Sequence, residues 1–162
     1  MTGLKSFPTG RRCSLSAITL LLTLFFSCKQ SSLYERYQMV DMKWSKDREY
    51  YFTYEIDDHT TPYRISLEIR HNALYPFQNL WLFCMEEQPI GPALRDTLEC
   101  MFADNYGKWL GHGISIYHVS IPFRSRYLFP HRGQYTLNIR HGMREDYLRG
   151  IEEIGLCIEA VK

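Results

Sequence analysis

Cys28 is the residue whose type and position suggest covalent chemistry. It directly follows Leu20–Ser27, a stretch of hydrocarbon side chains with one threonine and a final serine. A cysteine thiol in this setting can form a thioether with a diacylglycerol, and a third acyl chain can be added to the amine that cleavage exposes. One acyl chain binds a membrane only marginally, whereas two or more hold a protein there firmly.

The residues before Cys28 have the three parts of a secretory signal. Three basic residues come first, and no acidic residue occurs before Glu35. The apolar segment Cys13–Phe26 has 14 residues, which is too few for a transmembrane helix of roughly 20. Phe25–Cys28 resembles a bacterial lipobox, in which a dedicated peptidase cuts before the cysteine, although leucine is usual where Phe25 stands.

These features predict cleavage between Ser27 and Cys28 and lipidation of Cys28. The corresponding segments are a signal peptide at residues 1–27, a lipid-anchored tether at 28–33 and one domain at 34–162. An ordinary cleaved signal that leaves Cys28 free, and an uncleaved anchor, are the alternatives.

Length and charge limit the class of the exported domain. Removing residues 1–27 leaves 135 residues, enough for one domain with a sizeable core. The signal holds three of the 19 basic residues, so 16 remain against 18 acidic residues, a net charge of −2. This balance lacks the basic patch of a protein that binds DNA or RNA, so no nucleic-acid partner is predicted.

Other residues that could do chemistry lack the spacing that chemistry needs. There is no G-x-S-x-G motif, and Ser115 lies in a predicted strand. The glycine-rich stretch Gly107–Gly113 lacks the context of a phosphate loop and is predicted to be a tight loop. Adjacent carboxylates such as Glu86 and Glu87 point to opposite faces of a strand. We predict no catalytic residue, no metal site and no cofactor, and the chain is not expected to be an enzyme.

The histidines and cysteines fit structural positions. No histidine pair has the spacing of H-E-x-x-H, and each histidine is expected at the surface or in a loop. Cys84, Cys100 and Cys157 are widely spaced, without a C-x2-C pair. We predict buried apolar thiols; one disulfide with a spare cysteine is the alternative.

Alternating apolar and polar residues predict strands that bury one face. The clearest are Tyr50–Ile56, Tyr63–His71 and Gln134–His141. Leu80–Met85 is apolar on both faces, which predicts a central strand covered on both sides. Weaker candidates are 98–102, 114–121 and 154–161, and Met143–Ile154 is the best candidate for a short helix.

Turn residues separate these segments at intervals typical of a sandwich or barrel. The predicted fold is therefore mainly β, a single antiparallel β-sandwich domain with a jelly-roll-like arrangement.

Several phrases in a fixed order carry a resemblance to a known family. They are R-x-N-x-x-Y-P at Arg70–Pro76, N-L-W at Asn79–Trp81, G-K-W-L-G at Gly107–Gly111 and H-G-M-R at His141–Arg144. Together they resemble the gliding motility lipoprotein GldH family of Bacteroidetes, from Cys28 to about Glu159. The resemblance implies an envelope lipoprotein of the gliding machinery with no established enzymatic activity or cofactor. It carries over one functional residue, Cys28, and implies that Trp81 and Trp109 are core aromatics.

Three functions remain open at this point. The first is a non-catalytic scaffold that docks other envelope or gliding-motility proteins, with Arg124–Tyr127 and Arg140–Arg144 as candidate patches. The second is a glycan-binding sandwich, which would need exposed aromatic residues. The third is a hydrolase whose site is assembled only in three dimensions.

Location follows from the predicted anchor. The protein is expected in the cell envelope, bound to a membrane by its N-terminal lipid, in the outer rather than the inner membrane. Lys29–Ser32 lacks an acidic run of the kind associated with surface display, so the domain is expected to face the periplasm.

Overall fold

The computed structural model describes residues 32–161, and all of their regular secondary structure is β-strand. The strands are β1 (Tyr34–Met39), β2 (Lys43–Ser45), β3 (Tyr50–Ile56), β4 (Tyr63–Asn72), β5 (Asn79–Glu87), β6 (Leu94–Met101), β7 (Ile116–Tyr127), β8 (Gly133–His141), β9 (Tyr147–Arg149) and β10 (Ile151–Ala160). The helix predicted for Met143–Ile154 is wrong, because tertiary packing draws Leu148 and Ile151 into the core from β9 and β10. Across residues 32–161, no helix could span a membrane.

Eight of the strands form two four-stranded sheets. Sheet I has the order β1-β10-β4-β7, sheet II has the order β3-β8-β5-β6, and β2 pairs with β9 in a separate ribbon. All of these described strands pair antiparallel. The pairs are nested in chain order: β1 with β10, β3 with β8, β4 with β7, and β5 with β6. This nesting is that of a jelly roll, and the predicted antiparallel sandwich is confirmed.

The core lies between the two sheets, and the period-two pattern identifies most of its residues. In β3, Tyr50, Phe52, Tyr54 and Ile56 are buried, while the residues between them are exposed. Strands β4 and β8 bury the predicted alternate residues in the same way. Burial of these large side chains is the main stabilising term of the sandwich, at about 25 cal/mol per Å² of apolar surface.

Strand β5 departs from its prediction. It lies inside sheet II between β8 and β6, as expected of a central strand. Its inner residues Leu80 and Leu82 are fully buried, but Trp81 and Phe83 on the other face are 38% and 39% exposed. Within residues 32–161 no second layer packs on the outer face of sheet II, so the prediction of cover on both sides is wrong and Trp81 is not a core aromatic.

The loops collect at two ends of the sandwich. The N-terminal end contains the start of β1 and the loops 57–62, 88–93 and 128–132; there the Leu33 amide donates to the Ile158 carbonyl (2.8 Å). The far end contains the segments 40–49, 73–78, 102–115 and 142–150. The chain therefore enters the domain at the end opposite its longest loop.

The loop 102–115 is fastened to the core through His71. The His71 ring stacks on Phe102 (4.6 Å between centroids) and meets the edge of Trp109 (4.7 Å). Gly107 and Gly113 have φ of +79° and +147°, values that favour glycine. The predicted tight loop is confirmed, and Trp109 packs against the core with partial exposure.

His71 and His141 are fully buried, so the prediction that every histidine lies at the surface or in a loop is wrong for these two. His71 is the residue before the last of β4, His141 is the last residue of β8, and both side chains point into the core. The His141 ring packs edge-to-face with the Trp44 indole (5.4 Å between centroids). Burial lowers the pKa of both imidazoles from the usual value of about 6.5. Both rings therefore act as neutral aromatic packing groups at neutral pH.

Acid is expected to destabilise the fold through these two histidines. Their folded-state pKa is lowered, so the unfolded chain binds protons first, and stability falls as pH drops below about 6.5. The slope is at most about 1.4 kcal/mol per pH unit for each titrating histidine. Urea unfolding between pH 7.5 and 5 is expected to show a smaller acid loss for His71→Phe than for the wild type.

Comparing His71→Phe with the wild type separates the effect of the histidine on stability from that of Glu86, which has the opposite sign. Burial raises the Glu86 pKa, so protonation of Glu86 stabilises the fold as pH falls. An identical slope for wild type and His71→Phe would contradict the prediction.

Candidate functional site

The outer face of sheet II carries a groove of about 400 Å³. Its lining combines aromatic, cationic and hydrogen-bonding side chains from the end of the β2–β3 loop and from strands β8, β5 and β6. The outward-pointing members are Glu49, Phe83, Met85, Arg95, Thr97, Asn138 and Arg140. The volume lies within the range of small-molecule sites, about 300–1,000 Å³.

Strand register builds the groove in two cross-strand rows. The first row runs Arg140, Phe83, Thr97 across β8, β5 and β6. The second row runs Asn138, Met85, Arg95 across the same strands. Residues that oppose each other on one face of a sheet lie about 5 Å apart, so each row is continuous.

Phe83 is the platform at the centre of the groove. Its ring lies against Gly142, where an added Cβ would come within 2.9 Å of the ring. The guanidinium of Arg140 lies over the Phe83 ring, 5.0 Å from its centroid, close enough for a cation–π contact. Trp81 is the next outward residue of β5 and extends the aromatic surface toward the far end.

Hydrogen bonds engage two carboxylates of this face, Glu49 and Glu99. Glu49 accepts from the Tyr51 hydroxyl (2.5 Å) and from Asn138 Nδ2 (2.7 Å). These two bonds, the Tyr51 bond first, lower the Glu49 pKa. Glu99, beside Trp81, accepts from Asn79 Nδ2 (2.5 Å).

The arginines of the groove have no such partners. Among residues 32–161, neither Arg95 nor Arg140 has a carboxylate oxygen within 4.0 Å. The charged side chains on the outer face of sheet I are paired instead: Arg70 with Glu153 (2.6 Å) and Glu68 with His118 (2.7 Å). Within the groove lining, Arg95 and Arg140 are therefore the cations without an ion-pair partner, while Glu55 and Glu87 are exposed on the same face outside the lining.

A polar cluster lies between the sheets behind the groove. Buried Glu86 accepts from the Tyr54 hydroxyl (2.7 Å), and Arg124 forms an ion pair with Asp96. The Arg124 guanidinium also lies 4.7 Å and 5.0 Å from the ring centroids of Phe123 and Tyr127. These contacts indicate a structural role: the cluster joins β6, at the edge of sheet II, to β7, at the edge of sheet I.

The two arginine patches proposed from the sequence are divided by the strands. In Arg124–Tyr127, only Ser125 and Arg126 are exposed, because Arg124 and Tyr127 turn toward the cluster. In Arg140–Arg144, His141 and Met143 are buried, and Arg140 belongs to the groove. Neither segment forms the continuous patch that was predicted.

The remaining candidates do not combine into a site. Ser115 lies just before β7, not inside a strand, and Glu86 and Glu87 point to opposite faces of β5 as predicted. Burial raises the pKa of the Cys84 and Cys100 thiols to about 12; these two and Cys157 are free. In the described part of the chain, no group of three His, Cys, Asp or Glu side chains could hold a metal ion.

The groove was missed at the sequence level, and Cys28 and Ser27 lie outside the described residues. The missed signal is in β5, where Trp81, Phe83 and Met85 alternate with the buried Leu80, Leu82 and Cys84. Two apolar faces on one strand indicate either cover on both sides or an exposed apolar surface. The polar residues on the outward face of neighbouring β6 favour an exposed apolar surface.

Comparisons with known proteins point to one family. A family model described as GldH lipoprotein matches residues 32–158. A protein of Flavobacterium johnsoniae named gliding motility lipoprotein GldH is 32% identical over 157 residues, covering 91% of this chain and 98% of that protein. A homolog of that lipoprotein from Christiangramia forsetii is 29% identical over 158 residues, with coverage of 91% and 97%.

Similarities to solved structures are distant. An uncharacterized protein of Listeria monocytogenes aligns with 67% of this chain and 8% of its own at a TM-score of 0.30 and 12% identity. A structure of infectious bursal disease virus aligns with 78% of this chain and 32% of its own at a TM-score of 0.27 and 15% identity. Neither is close enough to bear on the fold or on the groove.

Proposed function

Because this chain belongs to the GldH lipoprotein family, we propose that it is a non-catalytic, lipid-anchored scaffold that docks other proteins of the gliding machinery. Membership makes it a lipoprotein of a gliding-motility system, associated with a membrane of the cell envelope. The observation that carries the finer proposal is the end-to-end match, because 98% of the relative named for gliding motility is covered. Both relatives are named for the motility system and not for a reaction.

The proposed anchor is Cys28, freed by cleavage after Ser27. Leu33, where the described domain begins to pair with β10, is the fifth residue after Cys28. Even fully extended, five residues span at most about 18 Å. The N-terminal end of the sandwich would then lie close to the membrane surface, in the proposed location on the periplasmic side of the outer membrane.

This attachment would direct the far end away from the lipid. Strand β7, with 12 residues, spans about 40 Å between the two ends. The far end exposes large apolar side chains on two of its segments: Met42 (93%) on 40–49, and Tyr106 (96%) and Ile114 (93%) on 102–115. Exposed apolar side chains that share one region often mark interaction sites, which supports docking at the far end.

Site-specific photocrosslinking in the native host tests this docking. A photoreactive amino acid in place of Tyr106 or Ile114 is expected to form adducts with envelope proteins of the motility system, identified by mass spectrometry. The matched control is the same residue in place of exposed Thr60 in the loop 57–62, which is expected to crosslink less. Adducts that form from Thr60 and not from the far end would contradict the proposed orientation.

A second candidate function is glycan binding by the groove of sheet II. The observation that favours it is the aromatic surface of Trp81 and Phe83, more than a third exposed on a face that bears hydrogen-bonding side chains. Trp44 is buried and Trp109 is partly buried, so the support comes from β5 alone. The two functions use different parts of the domain and can be tested separately.

A further inference from the structure

We propose that the groove on the outer face of sheet II binds a saccharide that carries carboxylate groups. This inference rests on the glycan-binding candidate and names its ligand class. It does not depend on the lipid anchor or on docking at the far end. Three properties of the groove support the inference. Two arginines lack an ion-pair partner, and an aromatic platform lies between them. The strand under the platform already pairs with a strand on each side.

The arginines select for negative charge. Arg140 on β8 and Arg95 on β6 flank the central strand β5 and are offset by two residues along it, so their backbones are about 12 Å apart. Guanidinium groups bind carboxylates through paired hydrogen bonds. In the groove lining, Glu49 accepts hydrogen bonds from Tyr51 and Asn138, and Asp96 is paired with Arg124. Arg95 and Arg140 are therefore the charged lining groups that lack an ion-pair partner in residues 32–161.

The platform suits a sugar ring. The Phe83 ring lies against Gly142 and remains 39% exposed, with Trp81 beside it on the same face. The apolar C–H face of a pyranose can pack on such a ring, because the contact removes apolar surface from water. Thr97, at the end of the first row, offers a hydroxyl to sugar hydroxyls.

The position of the groove disfavours an extended peptide as the ligand. Peptides that add to a sheet pair with the backbone of an edge strand. The groove lies over β8, β5 and β6, and its central strand β5 pairs with a neighbour on each side. β6 is the edge strand of the sheet, but a ligand that rests on Phe83 lies over β5 and is recognised there through side chains. A saccharide supplies its own hydroxyls and carboxylates for that purpose.

The test uses the full-length lipoprotein purified from membranes in detergent, with trigalacturonic acid as the probe. Titration calorimetry and ligand-observed NMR are expected to detect binding of the acid. The methyl ester of the same trisaccharide, which keeps the ring and loses the charge, is expected to bind at least tenfold more weakly, a difference of about 1.4 kcal/mol. Raising the salt concentration is expected to weaken the binding of the acid and to leave the binding of the ester unchanged.

Variants assign the binding to the groove. Arg95→Gln and Arg140→Gln are each expected to weaken binding of the acid about tenfold, and Phe83→Ala is expected to weaken both acid and ester. The matched control is Arg126→Gln, which removes the same charge from an exposed position on β7 in sheet I. Thermal unfolding of each variant checks that the fold is retained.

The outcomes separate the two claims. Equal binding of acid and ester would overturn the carboxylate inference and leave the glycan-binding candidate standing. No binding of either sugar by the folded protein would overturn both. A loss with Arg126→Gln as large as with Arg140→Gln would assign the effect to overall charge and overturn the site.

Discussion

A Cys28→Ala variant is expected to lose its acyl chains and to remain unprocessed in the native host. The predicted peptidase cuts before a lipidated cysteine, so removing the thiol removes both the modification and the cleavage site. Mass spectrometry of the wild-type N-terminus is expected to find a diacylated or triacylated Cys28 as the first residue. The matched control is Cys13→Ala, which lies in the predicted signal and is expected to leave the mature N-terminus unchanged.

Membrane association is expected to depend on the same residue. When Cys28→Ala is exported with a signal cut by an ordinary signal peptidase, the domain is expected in the soluble periplasmic fraction. A single acyl chain binds with a constant of only about 10⁴ M⁻¹, so firm attachment needs the two or three chains that Cys28 would carry. A wild-type protein that starts at another residue without lipid would contradict both the anchor and the orientation proposed for the domain.

The second large effect is expected from the core tryptophan. Trp44 is fully buried on β2, meets the rings of Tyr50 and His141 edge-on at 5.3 Å and 5.4 Å, and donates its indole N–H to the Arg48 carbonyl (2.9 Å). Trp44→Ala is expected to lower the free energy of unfolding by about 3–5 kcal/mol. That loss is a large share of the 5–15 kcal/mol typical of a whole domain.

Trp81→Ala is the matched control for Trp44→Ala. The same side chain is removed, but from a position 38% exposed on the outer face of sheet II. Its expected cost is about 1 kcal/mol, the average for point substitutions. Urea unfolding followed by tyrosine fluorescence and circular dichroism measures both. Equal losses for the two variants would mean that the ribbon of β2 and β9 is not part of the cooperative core.

Period-two patterning predicted the class of fold because it reflects a local property. A strand with one buried face must alternate, and Tyr50–Ile56 shows which side chains point inward without any knowledge of the partner strand. The same reasoning failed for short elements such as β2 and β9, because three residues are too few to display a period. It also assigned Met143–Ile154 to a helix, where β9 and β10 instead take their places in the fold.

The sequence by itself determined the mainly β class, the inward faces of the long strands and the family, and it predicts an export signal with Cys28 at its end. These follow from residue types read along the chain, where neighbours in sequence carry the information. Only the tertiary structure decided that His71 and His141 are core groups, that Arg124 closes the β6–β7 edge, and that Phe83 lies between Arg140 and Thr97. Each of these depends on strand register and on which sheet face is left uncovered, and both are set by contacts between residues far apart in the chain.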